Sequence, residues 1–469
     1  MRICIIAEGS YPYISGGVST WIHRLVKEMP EHDFEILSLM PDPENYHKYK
    51  YDPPPMVKKV TTNYMNTYLK LKHRRIIMEP RLSKKKKASI NDFIFFNDEI
   101  DWSEFTDAVS DKKRVGDTLN FLQSKLFWEL VRRKYLEEYN THEFNAFFWT
   151  IRSMLLPVVH LMQYPIPEAD IYHCVSTGYA GLIGVMAKAK YNKPLILTEH
   201  GIYAREREED ILKSRWLMTS YKKLWTEFFY FISTGVYRTA DDIVTLFHRN
   251  HEIQLELGAP PSRCSIIPNG IEPTNYKIQK VVPGRMNVGS ILRVVPIKDV
   301  LTLIRSFKLV HNEIPESKLY LIGPTDEDED YFEQCQNLVS ILDLDDQVIF
   351  TGRINIHDKL PDIDVLTLSS ISEGMPLVIL EGLASGIPFV ATNVGSCREL
   401  LEGTNDTYGQ AGLIVPPVSP KKLAEGIVDL LNKPMLREHF ARNGRNRVEA
   451  LYSNEILTKA YKDIYEKYR

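Results

Sequence analysis

Two carboxylates, Glu373 and Glu381, stand eight positions apart around a short glycine-containing turn. The apolar segment 364–369 before the turn is typical of a buried parallel strand. The apolar segment 377–384 after it predicts a helix, with Pro376 at the first helical position. A strand, a glycine turn and a helix N-terminus together present free backbone N–H groups, which favour an anionic ligand.

The two glutamates themselves suit hydroxyl groups better than a phosphate, because like charges repel. Glu373 precedes the helix and Glu381 lies on its second turn, so they can reach two parts of one ligand. A molecule with phosphate in its middle and hydroxyls at both ends fits, and a nucleotide sugar is such a molecule. A plainer alternative stays open, in which Glu373 only favours the helix dipole and Glu381 is solvated surface.

A pair of cations, Arg293 and Lys298, lies five positions apart in the turn before a predicted helix at 300–310. They can clamp a diphosphate, Arg through its planar fork and Lys as a point charge. The alternative is a pair of solvated loop cations. A D-x-D string, 362–364, leads directly into the buried strand, so we reject it as a metal site and predict none.

In the first half of the chain, Gly16 and Gly17 follow an apolar strand at 2–7 and precede a helical pattern at 18–29. The loop lacks G-x-G-x-x-G, which argues against a nicotinamide site. Two glycines at a helix N-terminus would let a phosphate approach the backbone closely, although an ordinary turn explains them equally. His200 follows the apolar segment 194–198, at the strand end where open α/β sheets place ligand groups. A single histidine is nevertheless more often structural.

The composition is that of a folded protein of two or three domains. The chain has 469 residues, 44% of them hydrophobic, and a net charge of −3, which argues against a nucleic-acid partner. Five scattered cysteines favour reduced thiols and a cytoplasmic location. No signal peptide opens the sequence, and the most apolar region, 144–167, is too interrupted to span a membrane.

Strand–helix alternation in both halves predicts an α/β protein with two doubly wound domains. The alternation breaks between about 41 and 165, which we interpret as a large insertion. It carries predicted helices near 115–139 and 143–162 and a lysine run at 84–87 that is typical of a solvated face. A linker is predicted at about 272–283.

The E-G-M-P-L-V-I-L-E string at 373–381 resembles the E-x7-E signature of retaining glycosyltransferases of family four, which have the GT-B fold. Arg293 and Lys298 resemble the R-x4-K pair of that family, with Leu292 and Asp299 in place of its glycines. The resemblance implies two Rossmann-like domains that face a cleft and a C-terminal helix that crosses back to the first. The implied domains are 1–275, carrying the 41–165 insertion; 284–450, binding the nucleotide sugar; and 451–469, the returning helix.

The resemblance also implies roles for individual residues. Glu373 would contact the donor sugar, Glu381 the ribose, and Arg293 and Lys298 the diphosphate, while His200 would approach the sugar and leaving phosphate. The implied catalytic residues are His200, Glu373, Arg293 and Lys298. The implied nucleotide-sugar contacts are Gly16, Gly17, Arg293, Lys298, Gly352, Arg353, Glu373, Gly374, Met375, Pro376, Leu377 and Glu381.

The E-H-G-I-Y-x-R-E-R string at 199–207 and the long insertion resemble PelF-type enzymes. This likeness implies a metal-independent hexosyltransferase that moves glucose or a related hexose from a UDP-sugar, with UDP-glucose as the implied donor, to a carbohydrate acceptor in Pel exopolysaccharide (biofilm) synthesis. It implies no cofactor apart from the donor substrate. The implied partners are the donor, the acceptor and a membrane-bound synthesis complex that recruits a cytoplasmic protein to the inner face of the membrane.

Other functions remain open at this stage. A nucleotide-sugar epimerase or a sugar phosphorylase would keep the fold and change the reaction. A catalytically silent component of an exopolysaccharide export complex would keep the fold and lose the reaction. The retained pairs of acids and cations speak against the silent component.

Overall fold

The computed structural model describes residues 1–70, 79–215, 217–276 and 285–469. Positions 277–284, which hold most of the predicted linker and the first residue of the predicted second domain, lie outside the described residues, as do 71–78 of the predicted insertion. The chain divides into two compact units. The first unit consists of 1–245, 250–266 and 461–469, and the second unit of 246–249 and 267–460.

The first unit is built on a parallel sheet with the order β3-β2-β1-β4-β5-β6-β7, a doubly wound arrangement. The strands are β1 (Arg2–Glu8), β2 (Asp33–Met40), β3 (Val57–Tyr64), β4 (Ile171–Cys174), β5 (Leu195–Glu199), β6 (Asp242–Thr245) and β7 (Cys264–Ile266). The central strands β1, β4 and β5 are almost wholly buried, which explains why they read as continuous apolar runs.

Helices flank this sheet and fill the long segment between β3 and β4. They are α1 (Gly17–Lys27), α2 (Lys84–Ile94), α3 (Trp102–Ser110), α4 (Lys112–Val115), α5 (Thr118–Phe121), α6 (Lys125–Lys134), α7 (Phe144–Met162), α8 (Tyr179–Tyr191), α9 (Tyr203–Lys213), α10 (Thr219–Thr239) and α11 (His248–Glu256). Across the described ranges, we find no helix that combines the length and the apolar character needed to cross a bilayer.

The segment predicted as an insertion at 41–165 differs from the prediction in two ways. Its start contains β3, which pairs with β2 as an edge strand of the sheet. This strand is not evident from its sequence, V-K-K-V-T-T-N-Y, because most of its residues are only partly buried. The helix predicted at 115–139 is also broken: α5 ends at Phe121, and the Ser124 side chain caps α6 by accepting from the Phe127 N–H at 3.2 Å.

The second unit repeats the doubly wound pattern in a parallel sheet with the order β10-β9-β8-β11-β12-β13. Its strands are β8 (Asn287–Ile291), β9 (Lys318–Ile322), β10 (Val348–Gly352), β11 (Val365–Leu368), β12 (Phe389–Thr392) and β13 (Gly412–Val415). Its helices are α12 (Val300–Glu313), α13 (Glu329–Ile341), α14 (Ile356–Lys359), α15 (Leu377–Ala384), α16 (Cys397–Glu402), α17 (Pro420–Asn432), α18 (Pro434–Leu451) and the first part of α19 (Asn454–Glu466). The prediction of two Rossmann-like parallel-sheet domains is confirmed.

The last nine residues of the chain, 461–469, belong to the first unit. Tyr461 and Tyr465 of α19 are fully buried there. The Tyr465 hydroxyl lies 2.7 Å from Nδ1 of His173 on β4, and the Tyr461 hydroxyl lies 3.0 Å from the hydroxyl of Thr198 on β5. The end of α19 is therefore part of the core of the first unit.

Candidate functional site

The turn between β11 and α15, in the second unit, packs against a second turn at Gly395. Gly395 has φ +52°, and a Cβ there would lie 2.2 Å from the carbonyl oxygen of Glu373. The Ser396 N–H donates to the Gly374 carbonyl at 3.0 Å. Only glycine permits this conformation and this approach, so Gly395 fixes the backbone that carries Glu373.

Lys298 and Glu373 form an ion pair at this turn. Nζ of Lys298 lies 2.5 Å from Oε1 of Glu373, and the Ser370 hydroxyl donates to the same oxygen at 2.5 Å. The lysine and glutamate side chains are only 17% and 10% exposed. The Ser369 hydroxyl donates to the Lys298 carbonyl at 2.8 Å, which ties the lysine-bearing loop to the end of β11. Two residues predicted for different parts of a ligand are thus in direct contact.

Arg293 has a different partner. Its guanidinium donates to Oε2 of Glu327 at 2.7 Å, and its side chain is 55% exposed. Glu327 lies in a run of acidic residues, 326–330, at the start of α13. Asp328 caps that helix by accepting from the Tyr331 N–H at 3.0 Å. The structure therefore brings Lys298 to Glu373 and pairs Arg293 with Glu327.

Glu381 lies one turn into α15 and is partly buried. The hydroxyl of Tyr276 donates to its Oε1 at 3.1 Å, and the Tyr276 ring packs near His357, with 5.0 Å between ring centroids. Tyr276 and His357 are not among the residues predicted from the sequence. These contacts hold the Glu381 carboxylate at a fixed place on the helix that also follows Glu373.

The remaining predicted residues of the second unit have distinct surroundings. Pro376 is the residue just before α15 and not its first residue; it makes no side-chain cap. Met375 is buried, and its sulfur accepts from the Asn269 N–H at 3.2 Å, which packs the segment 268–271 onto the site. Gly374 and Leu377 are partly buried.

Two further predicted nucleotide-sugar contacts, Gly352 and Arg353, lie at the end of β10. Gly352 has φ +66° and open space around its Cα. Arg353 is exposed and pairs with Asp326 at 3.0 Å. The exposed ion pair contributes little energy and can be exchanged readily for another partner.

In the first unit, Gly16 and Gly17 begin α1. Both are exposed, and a Cβ at either position would meet no heavy atom within 4 Å. Gly16 has extended backbone and supplies no side-chain cap. The first-turn N–H groups of α1 are therefore approachable, as an anion-binding helix N-terminus requires.

His200 follows β5, as predicted, and packs edge-on against Trp21 with 4.9 Å between ring centroids. Its Nε2 is buried and has no hydrogen-bond partner. Burial lowers the pKa of His200 to about 4, because the charged imidazolium loses its hydration. The imidazole is therefore neutral near pH 7 and can donate or accept one hydrogen bond.

His200 lines a cavity of about 340 Å³ that lies wholly within the first unit. The lining residues are Glu8, Gly9, Val18, Pro41, Met65, Val175, Ser176, His200, Gly201, Tyr203, Glu206 and Arg207. Of these residues, His200 was predicted as a site residue and Glu8 was not. Glu8 nevertheless carried a signal, because it is an acid at the carboxyl end of β1, where doubly wound sheets place ligand groups.

Glu8 is held by the elements around the cavity. Its carboxylate accepts from the Ala180 N–H at 3.0 Å and from the Tyr203 hydroxyl at 2.9 Å. Burial raises the pKa of Glu8, and these hydrogen bonds and the charge of Arg207 oppose the rise. Glu8 thus joins the start of α8 to the start of α9.

Glu199, next to His200, has a structural role. Its two oxygens accept from Thr177, the Tyr203 N–H, Tyr237 and Gln254 at 2.6–3.1 Å. Burial raises the pKa of this carboxyl, which the four hydrogen bonds oppose. The saturated carboxylate fixes the start of α9 and with it the direction of the His200 loop.

Two solved structures share the fold over the whole chain. The structure of HepE from Anabaena, solved in complex with UDP, aligns over 100% of both chains with a TM-score of 0.62 and 14% identity. Sucrose-phosphate synthase from Thermosynechococcus elongatus aligns over 99% of this chain and 98% of its own, with a TM-score of 0.61 and 16% identity. At these identities the likeness establishes the GT-B fold alone.

Sequence relatives match a smaller part. The capsular polysaccharide biosynthesis glycosyltransferase CapM of Staphylococcus aureus is 29% identical over 201 residues, which are 41% of this chain and 49% of CapM. The chain thus spans about half the length of that relative.

Two family models match the chain, one in each half. Residues 1–262, more than half of the sequence, match the domain of unknown function DUF3492. Residues 275–447, which contain the Lys298–Glu373 pair and Glu381, match the glycosyl transferases group 1 model. The chain therefore belongs to the DUF3492 family, and its second half is similar to glycosyl transferases group 1.

Proposed function

We propose that the protein is a glycosyltransferase that moves a hexose from a nucleotide diphosphate sugar to a carbohydrate acceptor. The observation that carries this proposal is the joined set of Lys298, Ser370 and Glu373 before α15, with Glu381 on the same helix. The group 1 match over 275–447 and the likeness to CapM support it. The HepE structure, which has also been solved with UDP-glucose, supports a UDP-sugar as donor.

In this proposal the ion pair opens when the donor binds. The diphosphate replaces Glu373 as the partner of Lys298, because two phosphate charges attract the ammonium more strongly than one carboxylate does. Glu373 is then released toward the hydroxyls of the donor sugar, and Glu381 accepts from the ribose. Arg293 exchanges the exposed Glu327 for the diphosphate, which costs little.

The reaction breaks the bond between the anomeric carbon and the diphosphate oxygen, and the bonding electrons leave with the diphosphate. The acceptor oxygen forms the new bond to that carbon and passes its proton to the departing phosphate. Lys298, Arg293 and the N-terminus of α15 stabilise the charge that develops on the leaving group. We infer that the sugar keeps its configuration, with acceptor and leaving group on one face, and that no divalent ion takes part.

The finer assignments come from the sequence resemblance to PelF-type enzymes. They are UDP-glucose as donor, a Pel-type exopolysaccharide as product, no cofactor apart from the donor, a cytoplasmic location, and recruitment to a membrane-bound complex.

A donor screen tests the proposal. Full-length protein is incubated with UDP-, GDP- and ADP-sugars, with and without oligosaccharide acceptors, and the release of nucleoside diphosphate is followed. A transferase should release nucleoside diphosphate at a rate that rises with the concentration of acceptor. Conversion of the donor sugar without acceptor would identify an epimerase, and dependence on inorganic phosphate a phosphorylase. Absence of UDP binding in a calorimetric titration would favour the catalytically silent component.

A further inference from the structure

The cavity of the first unit contains polar groups that the protein leaves unsatisfied. Nε2 of His200 and Nε of Arg207 are both buried without a hydrogen-bond partner, and both residues line the cavity. Buried donors and acceptors without partners are costly, so they indicate a ligand that supplies the missing bonds. The ligand must therefore be polar.

The charges around the cavity argue against an anionic ligand. Two carboxyl groups, Glu8 and Glu206, line it beside one cation, Arg207. The guanidinium of Arg207 already pairs with Asp210 at 2.8 Å and lies over the Tyr203 ring at 5.4 Å. A phosphate or carboxylate would thus meet two acids against one cation, whereas a hydroxyl can donate to the acids and accept from Arg207.

The size and the remaining lining fit a single sugar ring. A volume of about 340 Å³ is at the small end of the range of roughly 300–1,000 Å³ for small-molecule sites. Apolar side chains contribute part of the wall and suit the C–H face of a sugar. They are Val18, Pro41, Met65 and Val175.

We propose that this cavity binds one uncharged sugar residue of the acceptor and excludes phosphorylated or carboxylated sugars. Glu206 and Arg207 recognise its hydroxyl groups through hydrogen bonds. The identification of the bound sugar as acceptor rests on the proposed function. The selection for an uncharged sugar ring rests on the cavity itself.

Gly201 offers a way to move the Glu206 carboxylate without removing its charge. A Cβ at Gly201 would lie 2.0 Å from Oε1 of Glu206, and the glycine does not have a positive φ. Gly201→Ala should therefore be tolerated by the backbone and should push the flexible end of Glu206 aside. Glu206→Gln instead keeps the shape and removes the charge.

The test is ligand-observed NMR on full-length protein with three probes: methyl β-glucoside, glucose 6-phosphate and glucuronic acid. We expect the glucoside alone to bind, and its Kd to rise at least tenfold in Glu206→Gln and in Gly201→Ala. Lys213→Ala, on the exposed side of the same helix α9, is the matched control and should bind as the unaltered protein does. Thermal unfolding checks that each variant is folded.

Binding of either anionic probe at the affinity of the glucoside would overturn the inference, as would unchanged glucoside binding in both cavity variants. Glucoside binding that is lost in Glu373→Gln but kept in Glu206→Gln would place the sugar in the second unit and also overturn it. A separate UDP titration keeps the two proposals apart. UDP binding without glucoside binding would refute only the proposal that the cavity binds a sugar. Glucoside binding without UDP binding would refute only the proposal that the protein is a glycosyltransferase.

Discussion

Nζ of Lys298 and Oε1 of Glu373 are 2.5 Å apart although 75 residues separate them in sequence. Both side chains are largely buried, so each charge depends on the other for compensation. A ligand that binds one of them must replace the partner it removes. The diphosphate of a donor can replace Glu373 as the partner of Lys298, and the sugar hydroxyls can replace Lys298 as the partner of Glu373. Binding of these two parts of one donor molecule is therefore coupled.

Replacing Lys298 by Ala should weaken UDP binding, because a charge-assisted contact to the diphosphate is lost. The expected loss is about 1.5–3 kcal/mol, or roughly ten- to 150-fold in Kd. Isothermal titration calorimetry with UDP measures it. The exposed Lys422, paired with Glu425 on α17, supplies the control Lys422→Ala, which should not change the Kd. Unaltered UDP affinity in Lys298→Ala would contradict the diphosphate contact.

Replacing Glu373 by Gln should separate donor affinity from turnover. The amide no longer competes for the Lys298 ammonium, so UDP should bind at least as tightly as before. Turnover should fall by about tenfold or more, because a charged acceptor for the sugar hydroxyls is lost. Titration with UDP and steady-state rates measure the two effects. A parallel loss of UDP affinity and turnover would show that Glu373 does not act on the sugar.

His200 should remain uncharged over the physiological pH range, because burial lowers its pKa to about 4. The unfolded chain takes up this proton near the ordinary value of 6.5, so stability should fall as the pH drops from 6.5 toward 4. The imidazole signal, assigned by its absence in His200→Ala, should stay constant from pH 8 to 5.5 in an NMR titration. A midpoint near 6.5 would mean that the ring is hydrated.

The ion pair of Asp406 and Arg447 should make the second unit sensitive to acid. Arg447 is fully buried and donates to both Asp406 oxygens, at 2.9 and 3.0 Å. Burial alone would raise the pKa of Asp406, but the hydrogen bonds and charge of Arg447, together with backbone hydrogen bonds from Tyr408 and Thr404, lower the pKa below its ordinary value of 3.8. The resulting stability is present above pH 3.8 and is lost as the pH falls through the lower, folded-state pKa.

Asp406→Asn should therefore destabilise the second unit at pH 7, by about 3–5 kcal/mol, since it leaves the Arg447 charge uncompensated. Hydrogen exchange of peptides from the second unit reports this difference. The difference in stability between Asp406→Asn and the unaltered protein should be constant from pH 7 to 5 and should become smaller below pH 3.8. A difference that is independent of pH down to 2.5 would exclude the ionised pair as its source.

The sequence was sufficient where structure is decided locally. The predicted helix at 377–384 is α15 to the residue, and the strand predicted at 364–369 contains β11, Val365–Leu368. Apolar patterning, a proline at the start and a glycine after the end act within a few residues of one another. The same locality explains why both Rossmann-like domains were predictable.

Features that depend on contacts distant in sequence were not predictable. The pairing of Lys298 with Glu373, and of Arg293 with Glu327, depends on how separate loops meet. Helix α10 has no counterpart among the predicted elements, because its aromatic and β-branched residues and Gly235 are weak helix formers. Burial against the first unit outweighs that preference, and Gly235 lies where a Cβ would be 2.3 Å from the Trp102 ring.

The burial of Tyr461 and Tyr465 has a consequence for biosynthesis. A ribosome makes the strands of the first unit early, yet the hydroxyls that complete the hydrogen bonds of His173 and Thr198 arrive with the last residues of the chain. Some two hundred residues separate β7 from Tyr461, so the strands are synthesised well before the side chains that complete these hydrogen bonds. Folding of the first unit therefore cannot be completed until Tyr465 has been synthesised.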